Sequence, residues 1–268
     1  MADWEMAEAW TLEEAIANIQ QTEDQGKRFY AAWWLGKHRV EDKRAFAALI
    51  EALEDETDRT PDGGYPLRRN AAKALGKLNN AAAVEPLITC LNSDDYYVRE
   101  SAAQSLEMLG DRRAIEPLCD LLAGGVAAAV LKEGKPHLVQ PYEGIIEALG
   151  TLGATDKIAA IKPFLEHDLA KVRYATLRAM YQLTGESFYA QELMVALEGD
   201  DLQLRRSALM DLGAIGYVPA GQVIADTLAE NSLKLISLKG ILEIHLDKTE
   251  VTLDDEGLHL LGLMDTLL

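Results

Sequence analysis

Arg68-Arg69-Asn70-Ala71-Ala72-Lys73-Ala74-Leu75-Gly76-Lys77-Leu78 decides the fold, because its pattern returns along the chain. As a template it reads as a basic residue, small residues at +3 and +4, an apolar residue at +7 and another at +10. Copies begin at Arg28, Arg68, Arg99, Tyr142, Arg173, Arg205 and Lys234. Their +7 positions are Leu35, Leu75, Leu106, Leu149, Met180, Leu212 and Ile241. Leu78, Leu109, Leu152, Leu183, Ile215 and Ile244 fill +10, and only the first copy departs there, with His38. Offsets of 3, 4, 7 and 10 mark one stripe of an α-helix, and alanine at the +3/+4 level lets a second helix come close. Each copy therefore predicts one helix of a repeating unit.

Before most copies lies a second apolar helical segment: Ala48–Leu53, Pro86–Leu91, Pro117–Leu122 and Pro163–Leu165. The copies start 40, 31, 43, 31, 32 and 29 residues apart. A period near 31 made of two helices predicts an all-α solenoid, a superhelix of about seven HEAT-like helical-pair repeats, each burying its apolar faces against its neighbours. The whole of 1–268 reads as one repeat domain: an N-terminal cap over 1–23, repeats over 24–246, and a C-terminal cap or partner-docking helix over 247–268. Residues 1–10 are acidic with Trp4 and Trp10, and Thr11-Leu12-Glu13-Glu14 predicts a capping box at the first helix.

The 268 residues are 49% apolar and 26% charged, and carboxylates outnumber Lys plus Arg by 44 to 26, a formal charge of −18. That balance argues against a nucleic-acid or anionic-membrane partner, both of which need a basic face. No run of 18 apolar residues and no basic, apolar-cored N-terminus occurs, so the expectation is a cytosolic, soluble protein. Cys90 and Cys119 occupy apolar positions of first helices, and their pattern predicts buried core thiols rather than nucleophiles. His38, His137, His167, His245 and His259 lack paired ligand spacing, so no metal site is expected.

Departures from the repeat point to function. Where Trp33 stands, the other copies carry Lys73, Gln104, Glu147, Arg178, Met210 and Lys239; where Tyr30 stands, they carry Asn70, Ser101, Gly144, Ala175, Ser207 and Ile236. Large aromatics at such places form an apolar patch that the repeat does not require, either an end cap or a platform for a flat conjugated ligand or a partner. Acids precede the basic residue in several copies, Asp24 before Arg28, Asp95 before Arg99, Asp168 before Arg173 and Asp201 before Arg205, which predicts ion pairs that stack repeats in register. The two long intervals hold insertions, Asp58–Pro66 and Gly124–Pro141, each between the first and second helix of its repeat. Their Gly63-Gly64, Pro66, Pro136 and Pro141 predict shaped turns on one edge of the solenoid, where insertions commonly build a binding face. Arg68, Arg69, Lys135 and His137 supply positive charge there, with Tyr65 and Tyr142 beside it, a combination suited to a planar ligand bearing carboxylates.

Four stretches carry a family resemblance: Tyr30-Ala31-Ala32-Trp33-Trp34-Leu35-Gly36; Gly63-Gly64-Tyr65-Pro66-Leu67-Arg68-Arg69-Asn70-Ala71-Ala72; Tyr97-Val98-Arg99-Glu100 with Ala103–Gly110; and Gly134-Lys135-Pro136-His137-Leu138 with Gln140-Pro141-Tyr142-Glu143. Over nearly the whole chain the sequence resembles the E-type subunits of the E/F phycobilin lyases. The resemblance implies a heterodimer with an F-type lyase subunit that binds phycocyanobilin and joins it by a thioether to a cysteine of the phycocyanin α-subunit, for phycobilisome assembly. The bilin would be a bound substrate, with no permanent cofactor, and the nucleophilic cysteine would belong to the acceptor. It further implies Tyr30, Trp33 and Trp34 stacking on pyrrole rings, and Arg68, Arg69 and Lys135 at the propionates. Tyr65, His137, Gln140 and Tyr142 would line the loops, with His137 delivering the proton. Asp62 or Glu143 would bind pyrrole N–H groups. Two alternatives stay open at this level: a lyase for the phycoerythrocyanin or phycoerythrin α-subunit, and a non-catalytic repeat adaptor docking on phycobiliproteins.

Overall fold

The computed structural model describes residues 10–249 and 253–268. Trp4 and the acidic residues around it lie outside the described residues, as do residues 250–252 of the acidic stretch near the C-terminus. The fold is an all-α solenoid of sixteen α-helices among the described residues, with one isolated antiparallel bridge between Leu131 and Leu138. No helix among them is long and apolar enough to cross a membrane. The chain divides into two compact units, one through Leu121 with Val139–Pro141, the other of Leu122–Leu138 and the residues from Tyr142 onward.

In the first unit, α1 (Leu12–Gln20), α3 (Lys43–Ala52), α5 (Val84–Cys90) and α7 (Ile115–Asp120) alternate with α2 (Gln25–Lys37), α4 (Pro66–Lys77) and α6 (Tyr96–Leu109). The latter three lie side by side, and α1, α3 and α5 back them. The second unit holds α8 (Gly125–Ala128), α9 (Tyr142–Thr151), α10 (Ile158–Ile161), α11 (Ala170–Thr184), α12 (Ser187–Val195), α13 (Leu202–Ile215), α14 (Gly221–Asp226), α15 (Asn231–Thr249) and α16 (Asp255–Asp265). There α9, α11, α13 and α15 form the continuous layer, with α12 against α11 and α13 and α14 against α15. The apolar C-terminal segment caps this unit: Leu260 and Leu263 of α16 are buried, and α16 packs on α14 and α15.

All seven copies of the template are the helices of these two layers, and the stripe explains why. The +3 residues Ala31, Ala71, Ala102, Ile145, Thr176, Ala208 and Ser237 are buried, as are all seven +7 residues. Each Leu so buried contributes about 2 kcal/mol of hydrophobic stabilisation. A further rule was present in the sequence, as the Leu-Gly dipeptide recurring at +7 and +8. A Cβ built on Gly36 would lie 2.7 Å from Ala74 Cα, and one on Gly150 2.7 Å from Ala179 Cα. Gly76 faces the side chain of Ser105, and Gly240 faces the backbone of Gly213. Glycine at +8 against a small residue at +6 thus sets how closely neighbouring helices approach.

The acid–base register works differently from the expectation. Asp24, Asp95 and Asp201 cap helices by accepting from the backbone N–H groups of Lys27, Tyr97 and Gln203. The basic residues turn to backbone carbonyls instead: Arg99 to Ser93 and Val139, Arg173 to His167 and Asp168, Arg205 to Gly199 and Leu228, and Lys234 to Ala225 at the end of α14. An aspartate at the first turn has orphan amides within reach, whereas a long side chain from the next turn reaches the loops. Arg28 combines both modes, donating to Ile19 O and Thr57 Oγ1 and pairing with Asp55 at 2.6 Å, and Arg68 does the same with Asp55 O and Glu56. Asp95 also stacks repeats, because its second oxygen accepts the Tyr65 amide at 2.7 Å. The capping box forms as predicted, with reciprocal Thr11 and Glu14 bonds.

Candidate functional site

Two regions of the first unit hold its predicted site residues. On α2, Tyr30 is 42% and Trp33 39% exposed, although each is a large aromatic. Their ring centroids lie 5.2 Å apart at 31°, and Trp10 meets Tyr30 edge-on at 4.8 Å. Lys37, one turn on, places Nζ 4.7 Å over the Trp33 ring. Trp34 points about 100° away around the helix and is half-buried against His38, at 4.5 Å, so it does not join the pair. Phe29 adds a further exposed ring to the α2 surface.

The second region is the Asp58–Pro66 insertion, which is the shaped turn the glycines predicted. Thr60 and Gly64 close it with paired bonds, and Gly63 adopts φ 93°, a left-handed conformation that glycine accepts without strain. Its tyrosine is a support and not a wall of the site: Tyr65 is 4% exposed, donates to Glu56 at 3.2 Å, and lies between the guanidinium groups of Arg68 (4.0 Å) and Arg59 (5.2 Å). Burial raises its pKa, so the phenol stays protonated. Arg68 is equally committed. It donates to Asp55 O at 2.6 Å, pairs with Glu56, and borders a cleft of about 580 Å³ rimmed by Glu54, Glu56 and Glu85. Three carboxylates make that cleft unsuited to an anionic ligand. Cys90 is buried at the same cleft, its thiol pushed up to about 11 by burial, whereas Cys119 is only half-buried. Arg69 lies 4.4 Å over the Tyr97 ring, and Gln140, expected at the ligand, accepts from buried Arg99 at 2.8 Å. Asp62 is exposed on the turn.

In the second unit the long insertion ends in a small hairpin. The Leu131–Leu138 bridge, the Lys132 amide to His137 O and a turn at Gly134 define it, and Lys135 stands exposed at its tip. His137 is half-buried, with Nδ1 2.7 Å from Leu138 O, so Nδ1 carries the proton. His167, buried, fastens the hairpin base: its Nδ1 accepts from the Leu169 amide and its Nε2 donates to Ala129 O at 2.9 Å. Tyr142 is a correction to the sequence reading. It is 1% exposed with its ring 5.4 Å from Phe164, a core side chain whose pKa burial raises. Where the other copies carry a basic residue, this one buries an aromatic ring. Glu143 is half-buried in the first turn of α9.

Sequence spacing also missed two groupings. His245, Asp254 and Glu256 bring three ligand-type atoms within 4.8 Å, with His245 Nε2 2.9 Å from Asp254. The other is the surface of α2 and α4, basic and free of acids; its signal was the absence of Asp and Glu from 25–37 and 66–77.

Known proteins resemble this chain in sequence and in fold. A family model for PBS lyase HEAT-like repeats matches residues 27–55, and one for HEAT repeats matches residues 59–133. The chain is 76% identical over 268 residues, covering all of both chains, to the phycocyanobilin lyase subunit alpha of Picosynechococcus sp., and 58% identical over 272 residues, again over all of both, to that of Synechocystis sp.. It is 45% identical over 259 residues to the bilin biosynthesis protein PecE of Nostoc sp., covering 96% of this chain and 95% of that one. Among solved structures, the complex of CpcE and CpcF of phycocyanin lyase from Nostoc sp. superposes with a TM-score of 0.92 at 56% identity, over 100% of this chain and 98% of that one.

Proposed function

The chain belongs to the phycocyanobilin lyase alpha-subunit family, and from that premise we propose that it binds phycocyanobilin on the Tyr30/Trp33 face and presents it to the acceptor cysteine. It acts with an F-type partner subunit, and the acceptor is the phycocyanin α-subunit. The reaction adds the acceptor thiol across the exocyclic double bond of the bilin: a C–S bond forms and the thiol's proton passes to the bilin, with no other reactant. The protein's part is to hold a flexible chromophore in one conformation and keep competing nucleophiles away. The bilin is the substrate rather than a resident cofactor, and the reaction belongs to the cytoplasm, with the acceptor.

One observation supports the site above the others. Tyr30 and Trp33 remain about two-fifths exposed at positions that the sibling repeats give mostly to small or polar residues. Stacking of a conjugated ring on such a face contributes about 1 kcal/mol beyond the area it buries. His137 remains the group proposed to move the proton. Because its Nδ1–H is held by Leu138 O, any proton it exchanges passes through Nε2. Higher identity to the relatives named phycocyanobilin lyase subunit alpha, 76% and 58%, than to the PecE protein, 45%, supports the phycocyanobilin reading.

The test mixes the chain, an F-type subunit, phycocyanobilin and apo phycocyanin α-subunit, and reads zinc-induced bilin fluorescence on the denatured α band. A covalent band requiring both subunits, and reduced about tenfold or more by Trp33→Ala, is the expected result. A band that forms equally well without this chain would refute the reading.

A further inference from the structure

The chain carries 44 acids in 268 residues, so 25 residues of average composition would hold about four. The 25 residues of α2 and α4 hold none. They carry seven cations: Lys27, Arg28, Lys37, Arg68, Arg69, Lys73 and Lys77. Arg28 and Arg68 are spent inside the protein, Lys27 lies 3.7 Å from Asp24, Arg69 lies over Tyr97 and Lys37 over Trp33. Lys73 and Lys77 are exposed, and among the described residues no ion pair or hydrogen bond engages them.

Their place follows from the packing of α2 on α4. Gly36 against Ala74 brings the helices to the close end of the packing range, about 8 Å between axes. The Asn70 side chain donates to Phe29 O at 3.4 Å, which fixes the register between the two helices. Tyr30, Trp33 and Lys37 are then the +2, +5 and +9 positions of one repeat, and Asn70, Lys73 and Lys77 are the same positions of the next. Lys73 and Trp33 thus hold the same place on two neighbouring, closely packed helices. Lys73 and Lys77, four residues apart, share one helix face about 6 Å from each other at Cβ. On the far side, Met108 of α6, 50% exposed, would meet a Cβ on Gly76 and gives the strip an apolar border.

We propose that Lys73 and Lys77 bind the two carboxylates of a conjugated dicarboxylate whose ring system lies on Tyr30 and Trp33. The inference rests on the lyase reading, and it assigns the bilin propionates to these lysines rather than to Arg68 or Lys135. Ammonium groups on flexible stems suit carboxylates that are themselves on flexible arms, and an acid-free surface avoids the repulsion that the rest of this molecule would exert.

Binding of phycocyanobilin and of its dimethyl ester is measured on the heterodimer with the F-type subunit, in wild type, K73A/K77A and K73R/K77R. Wild type should prefer the free acid by about tenfold or more, a factor that charge-assisted bonds readily supply. K73A/K77A should lose that preference while binding the ester unchanged, and K73R/K77R should keep most of it. A free-acid preference that survives K73A/K77A overturns the assignment while leaving the lyase reading intact. Failure of the wild-type heterodimer to bind either compound overturns both.

Discussion

At the scale of single residues, the close approach of α2 and α4 hangs on one hydrogen atom. Gly36→Ala places a methyl carbon 2.7 Å from Ala74 Cα, and backbone cannot swing aside as a side chain can. The expected loss is about 1–3 kcal/mol, seen as a lower urea midpoint with the slope unchanged. Cys90 gives the opposite kind of prediction, inertness. With burial holding its thiol near 11, it should resist a maleimide at pH 8 in the native chain and react promptly in urea, as read by peptide mapping. The residues of the site were unevenly legible. Trp33 stood out because five of its six siblings are polar or charged, whereas Lys73 was hidden by its ordinariness: a lysine at a water-facing helix position signals nothing until the acid-free neighbour lies beside it. Tyr65 and Tyr142 misled because an aromatic in a Gly/Pro-rich insertion reads as ligand-facing, and only packing tells that these two support the loops from inside.

At the scale of elements, Arg28 joins three segments at once: its own helix α2, the end of α1 through Ile19, and the loop after α3 through Asp55 and Thr57. Its side chain is 7% exposed and that of Asp55 11%, so Arg28→Ala removes the charge partner of a largely covered carboxylate that keeps only its Thr57 and Asp58 bonds, and should cost about 2 kcal/mol in chemical unfolding. The pair also sets an acid limb. Burial raises the Asp55 pKa, but bonds from Arg28, the Asp58 amide and Thr57 outweigh it and the carboxyl lies below its ordinary value. A depressed carboxylate stabilises the fold above its unfolded pKa, about 3.9, and that contribution is lost as pH falls through the lower folded value. Arg28→Ala should therefore flatten the loss of stability as pH falls below about 4. The seven template helices were legible, since a 3.6-residue stripe is a local property; α8 was not, because it falls inside the second insertion, and the segment expected at Pro163–Leu165 is a 3-10 helix, Lys162–Glu166. The partners of the arginines were not, because a flexible cation meets whichever oxygen the loop presents, and that oxygen can come from far along the chain, as Val139 does for Arg99.

Across the whole molecule the strongest global influence is its charge of −18. Self-repulsion among exposed carboxylates weakens a compact state, and raising salt from about 0.01 to about 0.1 M shortens the screening length from about 30 to about 10 Å. The melting temperature should climb by about 2–4 °C, corresponding to roughly 1 kcal/mol for a chain of this size. A melting temperature that falls instead would mean that surface ion pairs such as Arg44–Glu13 outweigh the repulsion. The solenoid class was readable from period alone. Its division at the second insertion was not, since the template runs through residue 142 without a break in spacing that loop length could not explain. The glycine at +8 facing a small residue at +6 recurs in both units with nearly the same geometry, Gly36 on Ala74 and Gly150 on Ala179. Neighbouring repeats meet through a common fitting rather than through bespoke surfaces. A helix pair duplicated in the gene would arrive already matched to the seat on either side of it, so the lineage can lengthen or shorten this protein by whole repeats without first evolving a new joint.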